Sequence, residues 1–245
     1  MNSVGLSSRL LTVLTCHQRE KAWETYPYPC VSQLDFLDFQ LSQRNLLYPR
    51  LLDQLKGGAK MLDIGCCMGH DIRKLVFDGV PGENLVGVEL QQGFIDLGFE
   101  LFRDKDHLKA KFLIGNIMED EAPWDDLYRK FDIVNFGMFL HMWNYDEQVA
   151  VLERGIKCLK PEVGTTIIGN AVAVVDGAVM DWIGKKVPAH NVETFKLFIA
   201  DVEAKTGTKW ELDAELDYRY SKWNGKDTWA GDTMRRLTFE LTRVA

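Results

Sequence analysis

Two glycines, Gly65 and Gly69, close an apolar run that already carries an acid: Met61-Leu62-Asp63-Ile64-Gly65-Cys66-Cys67-Met68-Gly69-His70-Asp71. Glycine has no Cβ, so a strand can turn sharply there and bring its backbone close to a ligand before the next helix starts. About twenty residues on, Leu85-Val86-Gly87-Val88 ends in Glu89, a carboxylate at a strand tip that can accept two ribose hydroxyls at once. Together the two signals describe a grip on a nucleotide-like cofactor. The spacing D-x-G-x-x-x-G is looser than the G-x-G-x-x-G that seats a pyrophosphate on a helix N-terminus, and it suits a ligand without phosphates.

Other side chains offer chemistry beside a plainer alternative. Asp63 either orders the glycine turn within a site or caps local backbone. The run Asn135-Phe136-Gly137-Met138-Phe139-Leu140-His141-Met142-Trp143 follows a fourth strand, where open α/β sheets bind ligands beyond their carboxyl ends. His141 there is a candidate base that removes a proton from a phenol or alcohol; otherwise it is a packed, hydrogen-bonded histidine. The segment Ala22-Trp23-Glu24-Thr25-Tyr26-Pro27-Tyr28-Pro29-Cys30 either folds over a bound cation, offering π faces and excluding water, or pins a lid to the body. His17, His70, His107 and His190 lack the H-x-x-x-H and H-E-x-x-H spacings of a metal site, and no G-x-S-x-G elbow occurs. The sequence therefore predicts no metal and no serine hydrolase.

The elements that must position these residues alternate. Strand and helix candidates follow one another over Lys60 to Ile64, Asp71 to Phe77, Leu85 to Glu89, Gly93 to Arg103, Lys111 to Ile114, Phe131 to Phe136, Asp146 to Leu159 and Thr165 to Gly169. Such alternation predicts an α/β protein with a parallel sheet covered by helices. Residues 1–55 are assigned to an N-terminal helical lid, 56–170 to the cofactor-binding half and 171–207 to a helical cap or substrate wall. In the last part, 208–245, Trp210 to Tyr220 and Leu237 to Leu241 alternate with period two and predict an antiparallel pair joined through Trp223-Asn224-Gly225-Lys226-Asp227.

With these residues in view, the chain resembles the class I S-adenosylmethionine-dependent methyltransferases. The aromatic segment from Ala22 to Cys30 and the doubled cysteines of Gly65-Cys66-Cys67-Met68-Gly69 bring it closer to fungal O-methyltransferases of meroterpenoid and polyketide pathways. The resemblance implies a Rossmann-like seven-stranded sheet and S-adenosylmethionine as cofactor, leaving as S-adenosylhomocysteine. It implies that Asp63, Gly65, Cys66 and Gly69 meet the methionine and ribose part, with Asp63 accepting from the ammonium group, and that Glu89 holds the ribose. It further implies Asn116 and Ile117 at the adenine, with Asn116 otherwise a simple turn residue after Gly115, Leu90 at the cofactor, and Trp23 and Tyr28 over it. The reaction is in-line attack of an acceptor oxygen on the sulfonium methyl, in which the protein aligns the partners and excludes water. A carboxyl acceptor is already ionised, whereas a phenol must lose a proton.

Composition narrows the partners. A chain of 245 residues, 46% hydrophobic and 27% charged, is long enough for one well-buried core. Its net charge of -7 opposes a sequence-independent grip on nucleic acid, which needs Lys and Arg against phosphates. The five cysteines, at positions 16, 30, 66, 67 and 158, show no C-x-x-C pairing and predict reduced thiols in a cytoplasmic protein. No apolar stretch reaches membrane-spanning length. A small-molecule acceptor is the expected partner, with a homodimer left open. A methyltransferase-like protein that binds the cofactor without turnover is the alternative reading, and methylation of nucleic acid or protein is a third, disfavoured by the acidic balance.

Overall fold

Strands covered on both faces read as continuous apolar runs, and the inner strands of the sheet are built from such runs. A computed structural model describes residues 18–28, 31, 37, 39–44, 47–182, 184–217 and 233–245. In chain order its main elements are α1 (Leu47–Lys56), β1 (Met61–Ile64), α2 (His70–Phe77), β2 (Leu85–Glu89), α3 (Gln92–Phe102), β3 (Lys111–Ile114), β4 (Ile133–Gly137), α4 (Tyr145–Cys158), β5 (Thr166–Val174), β6 (Ala178–Trp182), β7 (Lys185–Ala189), α5 (Val192–Thr206), β8 (Trp210–Asp217) and β9 (Met234–Arg243). Seven strands form one sheet in the order β3-β2-β1-β4-β5-β9-β8. The first five run parallel, and β9 lies antiparallel between β5 and β8. The order reverses between β1 and β4, where strand-end loops diverge and leave a crevice for a ligand.

Period two along each strand divides the core into two layers. Met61, Leu85, Ile133 and Ile168 pack with Leu51 and Leu55 of α1, Ile72 and Leu75 of α2 and Ile95 of α3. Leu62, Ile64, Val134, Phe136 and Ile167 face the other way, onto Val149 and Leu152 of α4 and Phe195 and Phe198 of α5. The start of α4 is set by a capping box: Asn144 accepts from the Glu147 amide at 2.9 Å while the Glu147 side chain accepts from the Asn144 amide, also at 2.9 Å.

The alternating elements lie within a few residues of their expected bounds, and the sheet is the seven-stranded one the resemblance implies. The expected helical cap differs. Residues 171–174 continue β5, and β6 and β7 pair as an antiparallel hairpin that forms its own sheet. Met180, Val187 and Ala189 bury against Val172, Val174 and Met234, so the apolar residues there follow a strand period and not a helical one. Helix α5 does exist, but its Phe195 and Phe198 pack on the sheet beside Phe239, which makes it part of the body. The loop from Trp223 to Asp227, the end of the alternation at Tyr218 and Tyr220, and Cys16, Pro29 and Cys30 lie outside the described residues.

Candidate functional site

The β1–α2 connection is a tight turn at the crevice. The Gly65 and Cys66 amides both donate to the Val88 carbonyl, at 2.8 and 3.1 Å, and the Gly69 amide closes the turn onto the Cys66 carbonyl at 2.8 Å. Gly65 (φ 75°) and Gly69 (φ 65°) are left-handed, and space enforces the same choice. A Cβ on Gly65 would lie 2.3 Å from the Phe139 ring, and one on Gly69 2.5 Å from Phe112. Cys67 holds a left-handed φ of 51° without being glycine, a conformation that persists where surrounding bonds over-determine it. Here its amide donates to Glu89 Oε2 at 2.9 Å.

Glu89 is the joint between two turns. Its Oε1 accepts from the Gln91 amide at 3.0 Å while Oε2 holds Cys67. Burial raises its pKa, and those backbone donors hold it partly down. An ionised carboxylate has about four lone-pair directions, so both oxygens keep acceptor capacity for further hydroxyl donors. Asp63 stands opposite Asn135 in the β1–β4 register and accepts from its amide at 2.7 Å. Burial first, then the nearby Asp71 charge, push Asp63 up to about 7, and burial pushes Asp71 to about 7 as well. The site thus concentrates buried acids that a cationic ligand would relieve.

Asn116 lies at the same sheet edge, where the preceding Gly115 amide donates to the Glu89 carbonyl at 3.1 Å. Its side chain makes an Asx turn, accepting from the Met118 amide at 3.0 Å and donating to Glu119 at 2.9 Å. Ile117 is buried, packed in the cluster that holds Val88, whereas Leu90 is 47% exposed beside Glu89. Tyr28 stacks on Phe94 of α3 at 5.9 Å and joins Cys67 and Met68 of the glycine turn, so the N-terminal segment does reach the crevice. Trp23, 46% exposed, is not part of that cluster. His141 is only 6% exposed in the single turn Leu140–Met142, which lies against β5 and β7, and burial lowers its pKa to about 4.

The structure therefore brings Asp63, Gly65, Cys66, Gly69, Glu89 and Tyr28 together, sets Asn116, Ile117 and Leu90 at the adjoining strand ends, carries Trp23 on the same N-terminal segment as Tyr28, and buries His141 in the turn that follows β4. Sequence reasoning missed Asn135, Phe139 and Arg73. Asn135 left a signal, a lone amide inside the apolar strand Ile133–Gly137. Phe139 left one only in being aromatic, while Arg73 reads as an ordinary helix-surface cation until its neighbours are known.

This sheet order, with an acid-glycine turn after β1 and an acid closing β2, defines a class I S-adenosylmethionine-dependent methyltransferase. Residues 61–162 match the family model described as a methyltransferase domain. O-methyltransferase phiE of a fungal species (strain ATCC 74256) is 36% identical over 92% of this chain and 80% of its own. The Asnovolin E/Chermesin D methyltransferase nvfJ of Aspergillus novofumigatus is 31% identical over 80% of this chain and 71% of its own. Among solved structures, phosphoethanolamine N-methyltransferase 2 of Haemonchus contortus, in complex with S-adenosyl-L-methionine, superposes with a TM-score of 0.57. At 15% identity over 92% of this chain and 59% of that one, it speaks for the fold alone. The chain belongs to the S-adenosylmethionine-dependent methyltransferases and resembles fungal secondary-metabolite enzymes among them.

Proposed function

We propose that this chain methylates an oxygen of a small-molecule acceptor, a carboxyl or phenol of a polyketide-derived or meroterpenoid intermediate, and releases S-adenosylhomocysteine. The observation that carries the reading is Glu89, a buried carboxylate clamped by two backbone amides at the mouth of the glycine turn, with acceptor capacity left for two hydroxyls. When bound, S-adenosylmethionine supplies an electrophilic sulfonium methyl. Glu89 accepts from the ribose, and Asp63 accepts from the ammonium and moves to its ionised form as the cation arrives. Leu90, Asn116 and Ile117 border the adenine, Gly65, Cys66 and Gly69 let the backbone approach, and Tyr28 with Trp23 closes the aromatic side against water.

The two acceptors ask different things of His141. A base held near pKa 4 is poorly matched to a phenol near 10, whereas a carboxylate attacks without losing a proton. If His141 does meet the acceptor, it does so as a neutral ring that orients. The names borne by phiE and nvfJ support O-methylation and a secondary-metabolite acceptor. The acidic net charge argues against nucleic acid as partner. Among the described residues no helix is long and apolar enough to cross a membrane. The free thiols Cys66, Cys67 and Cys158 accord with a reducing, cytoplasmic location, and a homodimer is compatible with the reading.

Calorimetry tests it. The wild-type chain is expected to bind S-adenosylmethionine and not NAD, and Glu89→Ala to weaken binding by about 100-fold, the loss of two hydrogen bonds to a charged acceptor. Binding of NAD in its place, or unchanged affinity in Glu89→Ala, would overturn the assignment.

A further inference from the structure

Arg73 sits one helical turn into α2 and is spent on the glycine turn. Its Nη1 donates to the carbonyls of Met68 and Gly69, the second at 3.3 Å. Nε and Nη2 donate as a fork to both oxygens of Asp104, at 2.7 and 3.1 Å. The rings of Phe99, Phe102 and Phe112 surround the guanidinium, with centroids 5.1, 4.8 and 5.3 Å from its carbon, and the side chain is 6% exposed. Helix α3 comes up against the same place: a Cβ on Gly98 would lie 2.4 Å from the Met68 carbonyl and 3.1 Å from Nη1.

Stability is a weak reason for such an arrangement. Removing a cation from water is unfavourable, and apolar substitutes for a buried ion pair often leave a fold equally stable. What the arrangement does fix is the direction of two peptide planes. A peptide is planar with its C=O and N–H pointing opposite ways, so a Gly69 carbonyl drawn to Arg73 aims the His70 amide away from the guanidinium. Lysine could not reproduce this, because a single ammonium cannot serve two carbonyls and a carboxylate fork together.

We propose that Arg73, locked by Asp104, is a positioning residue of the cofactor site: it sets the Met68 and Gly69 peptides and so governs affinity for the methionine part of S-adenosylmethionine or S-adenosylhomocysteine. The adenosine part stays with Glu89. This rests on the reading that the cofactor lies on the β1–α2 turn.

The test measures calorimetric affinities for S-adenosylhomocysteine and for adenosine in the wild type, Arg73→Met and the milder Asp104→Asn, with thermal unfolding of each chain alone. Arg73→Met is expected to weaken S-adenosylhomocysteine about tenfold or more while adenosine stays within about twofold, and Asp104→Asn to move the same way by less. A merely structural role would lower the unfolding midpoint and leave the ratio of the two affinities unmoved. An unchanged ratio in both variants, with a wild type that binds, overturns the inference alone. Should Arg73→Met not fold, the ratio in Asp104→Asn decides. A wild type that binds neither ligand overturns the cofactor reading and the inference with it.

Discussion

Asp63 holds a proton that its sequence gives no reason to keep. Its folded pKa of about 7 lies above the ordinary 3.8 because burial penalises the anion and Asp71 adds to that penalty. A carboxyl with a raised folded pKa contributes its full stability below about pH 4, and that contribution is lost as pH climbs through 7. Asp63→Asn is therefore expected to leave the unfolding midpoint unchanged at pH 3.5, below the unfolded pKa. At pH 8 it should raise the midpoint, by roughly 2–4 °C per kcal/mol recovered in a chain this long. Affinity for S-adenosylmethionine should fall about tenfold, through loss of a charged acceptor. Thermal scans at the two pH values with calorimetry check both halves. Asp63, Gly65, Gly69 and Glu89 were legible in the sequence because a short turn confines what their types can do. Arg73 and Asn135 were not, since their partners, Asp104 and Asp63, come from other elements and only the folded register introduces them.

Among the elements, the alternating strands and helices of the sheet were legible in the sequence, and the hairpin was not. Met180 and Trp182 lie two apart and Gly177 and Gly184 take left-handed φ of 66° and 78° at its bends, yet over so short a run the same residues also fit a helical spacing. Which period applies was decided by Val172, Val174 and Met234, whose apolar surface accepts one face of a strand pair. Caps are more local. The Asn144 capping box starts α4 just after the turn that carries His141. Asn144→Ala is expected to destabilise the fold by about 1 kcal/mol, visible as a lower unfolding midpoint, and to leave S-adenosylmethionine affinity unchanged in calorimetry. An equal loss in affinity would mean that the α4 entrance and the cofactor turn are more tightly coupled than their separate hydrogen bonds indicate.

Across the whole molecule, buried acids and buried histidines oppose one another. His141 and His190 are lowered by burial to about 4. Their contribution is present above pH 6.5 and lost as pH falls toward 4, whereas Asp63 and Asp71, raised to about 7, gain over the same interval. With two histidines against these two acids, and Glu89 raised by burial beside them, urea midpoints of the wild type are expected to stay nearly level or rise toward acid between pH 6.5 and 4.5. In Asp63→Asn the balance tips and midpoints should decline toward acid relative to the wild type. A steep acid decline already present in the wild type would show that the carboxylates are not held as described.

The outermost strand of the sheet, β8, carries Glu211, Asp213 and Glu215 along one face, all exposed. Were a second copy to lay its own β8 antiparallel against this one about Asp213, carboxylate would face carboxylate at every position of that row, Glu211 against Glu215 and Asp213 against itself. Like charges directly opposite are unfavourable in a strand pair, so the strand resists joining its own twin in that register, a charge placed on an edge against a wrong partner.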